Sequence, residues 1–288
     1  MDIEEQDLTE SSAYHGDGYQ YRSSTKGGHY TGQIEVGFLR MVEQFPDGDP
    51  DNYQFLERPD TRRFNNQITE YHDRLAAHGV EVLYGGKTPH PNGSYCADVV
   101  LGIENQTLIS RMASDVRGKE EPGVFHTLHD LGFDPVLPFL SRYEVSNIIP
   151  SPRGYLIGVG ERASSSAAER IAGLLNTDTQ LLEVSSEMQH LMGAVRPLPD
   201  GRAAVRPEHV DVDRVLNHFD GVIEFDETHE ITHLEAMNIT VADDTIFMPA
   251  DTPQTQETFE ESYDVETVEI DEIRKGAGGL ACITGRIA

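Results

Sequence analysis

Lysine is scarce in this chain. Lys26, Lys87, Lys119 and Lys275 are the only four in 288 residues, against 50 acidic side chains, and with the arginines the basic total reaches 22 for a formal net charge of −28. Such a surface repels polyanions, which argues against nucleic acid or an anionic membrane as partner. It suits a protein kept soluble at high salt, where screening removes the self-repulsion of like charges, and predicts a halophilic source. Cysteine is scarcer still: Cys96 and Cys282 are the only two, too few for a disulfide framework. No apolar run approaches the ~18 residues that would span a bilayer, and no basic segment leads into an apolar one at the N-terminus. The expected compartment is the cytoplasm.

What is present is a glycine-rich stretch leading to one of the two thiols, Gly276-Ala-Gly-Gly-Leu-Ala-Cys282-Ile-Thr-Gly-Arg. Glycines let a backbone bend sharply and display a thiol with little steric cover, as a nucleophile requires. A free cysteine packed as a small hydrophobe is the plainer alternative. The spacing of other residues favours chemistry. Hairpin-like patterns begin at Asp98, Glu144, His190 and Ala236, and a fifth opens at Cys282; successive starts stand 46 residues apart. A fixed period of this size marks a repeat architecture of supersecondary units. In a ring of such units equivalent positions converge on the axis, bringing two carboxylates, an imidazole and a thiol together.

Residues 1–31 are acidic, then rich in Ser, Gly and Tyr, without apolar periodicity, and read as a mobile arm. Residues 32–288 read as a single domain. A strand is expected over Gln33–Val42, a helix over Asn66–His78 closed by Gly79, and a strand over Val80–Tyr84. Between the hairpins the pattern turns helical over Ser164–Leu175, Pro122–Leu131, Asp211–Phe219 and Thr255–Tyr263. Strands alternating with helices predict an α/β domain with helices outside.

The motifs resemble those of the pentein superfamily of guanidine-modifying enzymes: arginine deiminases, dimethylarginine dimethylaminohydrolases and amidinotransferases. Gly278-Gly-Leu-Ala-Cys282 is similar to the family's Gly-rich segment with its nucleophilic Cys, and His190-Leu to its His-Leu element. Glu144-Val-Ser-Asn with Gly154-Tyr-Leu-Ile-Gly-Val-Gly-Glu-Arg162 resembles the Glu-Gly-Gly-Asp hairpin and the following Arg turn. Ala97-Asp98-Val-Val-Leu with Ile109-Ser-Arg111 resembles the first Asp hairpin. The resemblance implies a five-bladed, pseudo-symmetric α/β propeller and a hydrolase acting on the C–N bond of a guanidino compound. Cys282 would be the nucleophile, His190 the acid and base, Glu144 its orienting partner and Asp98 an anchor for the guanidinium. Arg162, Arg111 or Arg117 would hold a substrate carboxylate, although on so acidic a chain a structural ion pair is close behind. The sequence departs from the family where Cys96-Ala97 precede Asp98, and where Met192 stands two residues after the His in place of the Asp of arginine deiminases. The partner implied is a small guanidino substrate, with no cofactor and no metal. Water or a second amine as acceptor, hydrolase or amidinotransferase, and a homo-oligomer are left open. Cys96, two residues from Asp98, would share its face on a strand; a regulatory disulfide with Cys282 is conceivable, inert packing the simpler expectation.

Two other classes compete. His229-Glu-Ile-Thr-His233 matches the zinc-protease pattern, with Glu230 beside the bound water and Glu257, Glu260 or Glu261 as third ligand. A catalytically silent propeller acting as a binding protein would need no thiol and imidazole in register.

Overall fold

The structure, a computed structural model, describes residues 33–104 and 106–287. The arm expected over 1–31 lies outside them. Strand β1 (Val36–Val42) is followed by α1 (Thr61–Ala77) and β2 (Glu81–Thr88). α1 starts five residues earlier than the apolar pattern suggests, because Asp60 accepts the Arg63 N–H at 2.8 Å and caps the helix ahead of its first buried residue, Phe64. Its buried side chains Phe64, Ile68, Tyr71, His72 and Leu75 form one helical stripe over β1 and β2.

Four units then repeat one plan. The first runs β3 (Val100–Ile103), β4 (Gln106–Ile109), α2 (Glu120–Asp130), β5 (Pro135–Val136), and the second β6 (Ile148–Ser151), β7 (Gly154–Val159), α3 (Ser165–Ala172), β8 (Thr179–Glu183). The third runs β9 (Val195–Pro197), β10 (Ala203–Val205), α4 (Val212–Leu216), β11 (Val222–Glu224). After the short helix α5 (His229–His233) the fourth follows as β12 (Thr240–Ala242), β13 (Thr245–Pro249), α6 (Pro253–Glu260), β14 (Asp264–Val268). In each, the first two strands pair antiparallel and the third returns through the helix to pair parallel with the second. The third strands, two to five residues long, left no periodic signal in the sequence.

A fifth unit is assembled from both ends of the chain. Beyond α7 (Asp271–Arg274), β15 (Gly285–Ile287) pairs antiparallel with β1, which pairs parallel with β2. β15 also pairs parallel with β3 through Arg286 and Leu101, joining this unit to the first in a six-stranded sheet ordered β2-β1-β15-β3-β4-β5. The architecture is mixed α/β, with apolar clusters filling the space between each sheet and its helix.

The expected 46-residue register survives in a different local form. Asp98 closes a 3₁₀ turn (Cys96–Asp98), and Glu144 and His190 each cap one (Val145–Asn147 and Leu191–Gly193), just ahead of the strands. The residues sit on turns because the chain must change direction there to enter the strand. A turn also parts neighbours that a strand would align: Cys96 packs with Phe38, Val99 and Val100 in the core, while Asp98 faces elsewhere.

Phe64, fully buried under α1, should cost about 3–5 kcal/mol on truncation to Ala, whereas Asp60→Ala should cost about 1 kcal/mol through the lost cap. Denaturant unfolding of both variants checks the ranking, and equal losses would contradict this account of α1.

Candidate active site

The turns ahead of β3, β6, β9 and β15 bring the predicted residues together. His190 lies between two carboxylates: its Nε2 is 2.6 Å from Glu144 Oε2 and its Nδ1 3.5 Å from Asp98 Oδ1. Glu144 is fully buried; its Oε1 accepts the Ala113 N–H at 2.9 Å and lies 3.5 Å from Arg162 Nη1. The Asp98 carboxylate receives Arg117 Nη1 on Oδ2 at 2.5 Å, while among the described residues Oδ1 has no hydrogen-bond donor. The Ala97 N–H donates to the Cys282 carbonyl at 3.0 Å, tying the thiol's backbone to the Asp98 turn.

Asn238, from the turn before β12, was not anticipated. Its Nδ2 donates to Cys282 Sγ at 3.0 Å, and its Oδ1 accepts the Ala281 N–H at 2.9 Å, which fixes which way the amide faces. The signal was available: Asn238 stands two residues after Ala236, the fourth start of the period, but an Ala at the start drew attention away.

The glycines before Cys282 act differently from the sequence expectation. Gly276, Gly278 and Gly279 do not take left-handed backbone; that conformation falls on Ala277, at φ 56°. They are glycines because a Cβ would strike neighbours: one on Gly276 would overlap the Tyr95 hydroxyl, one on Gly278 would lie 2.7 Å from the Tyr95 ring, and one on Gly279 2.7 Å from Asn238 Cβ. Close packing, with Tyr95 Oη donating to the Ile273 carbonyl at 2.7 Å, delivers Cys282 to the site. Cys282 sits in a turn and keeps part of its surface open to solvent. Cys96 is fully buried, and both thiols are unpaired.

The arginines divide. Arg117 is buried and engaged by Asp98, Glu120 and the carbonyls of Asn92 and Tyr95. Arg162 leans on Glu144, its Nε without a partner among the described residues, and Arg111 is exposed, its backbone bridged to Tyr143. The His-Glu-x-x-His segment does form helix α5, and the His229 and His233 rings stack 4.8 Å apart. Glu230, however, turns away to accept Gln254 N–H at 3.0 Å and Thr255 N–H and Oγ1–H at 2.8 Å, capping α6. Among the described residues no three His, Cys, Asp or Glu side chains are grouped to hold a metal ion.

No family model and no curated protein matches the chain by sequence. Its fold does have solved counterparts. The N-terminal domain of ArgZ, an arginine dihydrolase from the ornithine-ammonia cycle in cyanobacteria, solved as a cysteine-to-serine variant bound to substrate, superposes with a TM-score of 0.78 at 19% identity, over 88% of this chain and 98% of that one. Dimethylarginine dimethylaminohydrolase, solved as an adduct with 4-chloro-2-hydroxymethylpyridine, gives 0.73 at 19% identity, over 88% and 100%. The enzyme from Pseudomonas aeruginosa, a cysteine-to-serine variant complexed with citrulline, gives 0.72 at 18%, over 88% and 100%. The chain shares the fold of these enzymes. The resemblance read from the pentein motifs therefore extends to the mixed α/β architecture.

The electrostatics of the cluster follow from its partners. Burial alone would lower the His190 pKa, but the Asp98 charge and the Glu144 hydrogen bond outweigh it and the net shift is upward. Burial would raise Asp98, yet His190 and Arg117 bring it below its ordinary value; Glu144, likewise desolvated, is brought down by its hydrogen bond to His190. The Cys282 thiol is pushed up to about 12, by desolvation first, then by Asp98, against the opposing Asn238 hydrogen bond.

These shifts fix a pH signature. The raised imidazole stabilises the fold fully below its ordinary pKa and loses that contribution as pH rises through the raised folded value; the lowered carboxylates stabilise above their ordinary range and lose it as pH falls through their folded values. In thermal unfolding from pH 4 to 10, wild type should therefore lose stability relative to His190→Asn on the alkaline side. Parallel curves would show that His190 carries no charge in the native cluster.

Proposed function

We propose that the chain hydrolyses the C–N bond of a guanidino compound, arginine or a substituted arginine, through a covalent amidino-thioether on Cys282. The observation that carries this is the imidazole of His190 held between two buried carboxylates, on the turns that also bring in the Cys282 thiol. Five three-stranded units, the last built from β15, β1 and β2, are read as the blades of one closed propeller spanning 32–288, with these turns around its axis. The shared fold with an arginine dihydrolase and with dimethylarginine dimethylaminohydrolase supports the substrate class.

At rest, burial and then the Asp98 charge hold the thiol protonated. A guanidinium entering beside Asp98 brings the positive charge that lets Cys282 release its proton to solvent. The thiolate then attacks the central guanidino carbon, forming the C–S bond, and His190 gives its proton to the departing nitrogen as the C–N bond breaks. Neutral His190 takes a proton from the attacking water, the C–S bond breaks, and the ureido product leaves with the thiolate restored. Glu144 holds the imidazole in place through both halves. Asp98 Oδ1, without a hydrogen-bond donor among the described residues, faces the guanidinium, while Arg117 acts from behind as the positioning residue for Asp98. Arg111, and Arg162 through its unpartnered Nε, remain the candidates for a substrate carboxylate. The acidic surface is read as an adaptation to high salt.

The test is a panel of guanidino compounds incubated in high salt, with and without amine acceptors, while ureido product, ammonia and released amine are measured. Turnover to a ureido product should fall by roughly a thousandfold or more in Cys282→Ser and His190→Asn. Amidino transfer to the added amine would assign a transferase, and turnover undiminished in Cys282→Ser would defeat the thiol mechanism.

A further inference from the structure

A guanidinium spreads one positive charge over three nitrogens whose N–H groups fan out in a plane, so a pocket that fixes it before a nucleophile needs acceptors on more than one side. Around Cys282 most carboxylate oxygens are occupied. Asp98 Oδ2 is taken by Arg117, and Glu144 by His190 and the Ala113 N–H, with Arg162 alongside. From the first and second units that leaves Asp98 Oδ1 alone without a hydrogen bond.

The fourth unit supplies another carboxylate. Asn238 Nδ2 donates both to Cys282 Sγ at 3.0 Å and to Glu235 Oε2 at 3.3 Å, so the thiol and the Glu235 carboxylate flank one nitrogen. The amide cannot turn over without losing the Ala281 N–H that its Oδ1 accepts. Among the described residues the Asn238 amide is the only hydrogen-bond donor to the Glu235 side chain, and no cation comes within ion-pair distance of it. Arg274 is held by Asp251 at 2.6 and 2.9 Å, and Arg206 by Glu227. Other buried carboxylates are matched: Glu120 by Arg117, Glu272 by Lys275, and Glu230 by the start of α6. Glu235 is partly buried, shares an amide nitrogen with a thiol, and has no ion-pair partner among the described residues.

Its backbone points the same way. Glu235 has φ 57°, left-handed conformation that a residue with a Cβ takes at a cost, and such positions gather at functional sites. Desolvation raises its carboxyl pKa, and its charge joins that of Asp98 in raising the thiol. One cation placed among the three would relieve all of them.

We propose that Glu235 is a second carboxylate of the guanidinium pocket and a determinant of specificity for cationic substrates, accepting substrate N–H groups from the fourth unit while Asp98 Oδ1 accepts from the first. Asn238 is the positioning residue that sets Glu235 and Cys282 on either side of one amide nitrogen. This rests on the guanidine reading of the site.

Binding separates the two ideas. In the Cys282→Ser background, calorimetry compares a guanidinium compound from the turnover panel with its neutral ureido counterpart. Adding Glu235→Gln should weaken guanidinium binding by about tenfold to a hundredfold, the range of one charge-assisted hydrogen bond, and leave ureido binding within about twofold. Glu235→Asp should recover part of the loss, and on the native thiol Glu235→Gln should raise KM more than it lowers kcat. Glu235→Asp carries the same comparison should Glu235→Gln fail to fold. Wild-type turnover with guanidinium binding unchanged in Glu235→Gln, or equal loss for both ligands, would overturn the role of Glu235 alone. A wild type that neither binds nor turns over any guanidine would overturn the reading of the site and this inference with it.

Discussion

The pairing of β15 between β1 and β3 is the constraint on which the site depends. The strand is three residues long, yet it pairs antiparallel with β1 and parallel with β3, joining the fifth unit to the first. Cys282 precedes it by three residues, so its position is inherited from that pairing and from the Ala97 N–H on its carbonyl. Close packing does the remainder. Tyr95 and Asn238 fill the volume that side chains at Gly276, Gly278 and Gly279 would need, and the loop that carries Cys282 is held by packing, with none of these three glycines in left-handed backbone.

Charge compensation is the second organising fact. Burying Glu144, Asp98 and Glu120 together would be prohibitive if they were alone, because desolvation of each carboxylate costs more than dispersion returns. Arg117 lies against Asp98 and Glu120, and His190 between Asp98 and Glu144. The network leaves the imidazole readier to hold a proton and the thiol reluctant to lose one. In the proposed reaction a cationic substrate would supply the missing charge, which links the fold's internal electrostatics to that chemistry.

The sequence was informative where the period is visible. Asp98, Glu144, His190 and Cys282 were legible from spacing, because a repeat places equivalent residues equivalently whatever their local conformation. Helices α1, α2, α3, α4 and α6 were legible from apolar stripes, though their ends moved where caps such as Asp60 took over. In the first four units the third strand was not legible: β5 has two residues and β11 three, too short for any alternation, whereas β2, eight residues long, was expected over Val80–Tyr84. His229-Glu-Ile-Thr-His233 shows the opposite failure. Its spacing is that of a metal site, and its helix forms, but the role of Glu230 is decided by the N-terminus of α6 packed against it, which no local pattern records.

The sequence by itself determined the repeat, the amphipathic faces, the excess of acid and the four residue types that meet at the turns, since these depend only on order and composition along the chain. The tertiary structure decided which charges pair: that Arg117 is spent on Asp98 and Glu120, that Asn238 reaches the thiol, and that Glu235 finds no cation among the described residues. Those outcomes turn on separations of a few ångströms between residues dozens of positions apart. Distances of that kind are set only when the sheets pack against one another, because a side chain's partners are chosen by packing and its pKa by the partners it finds.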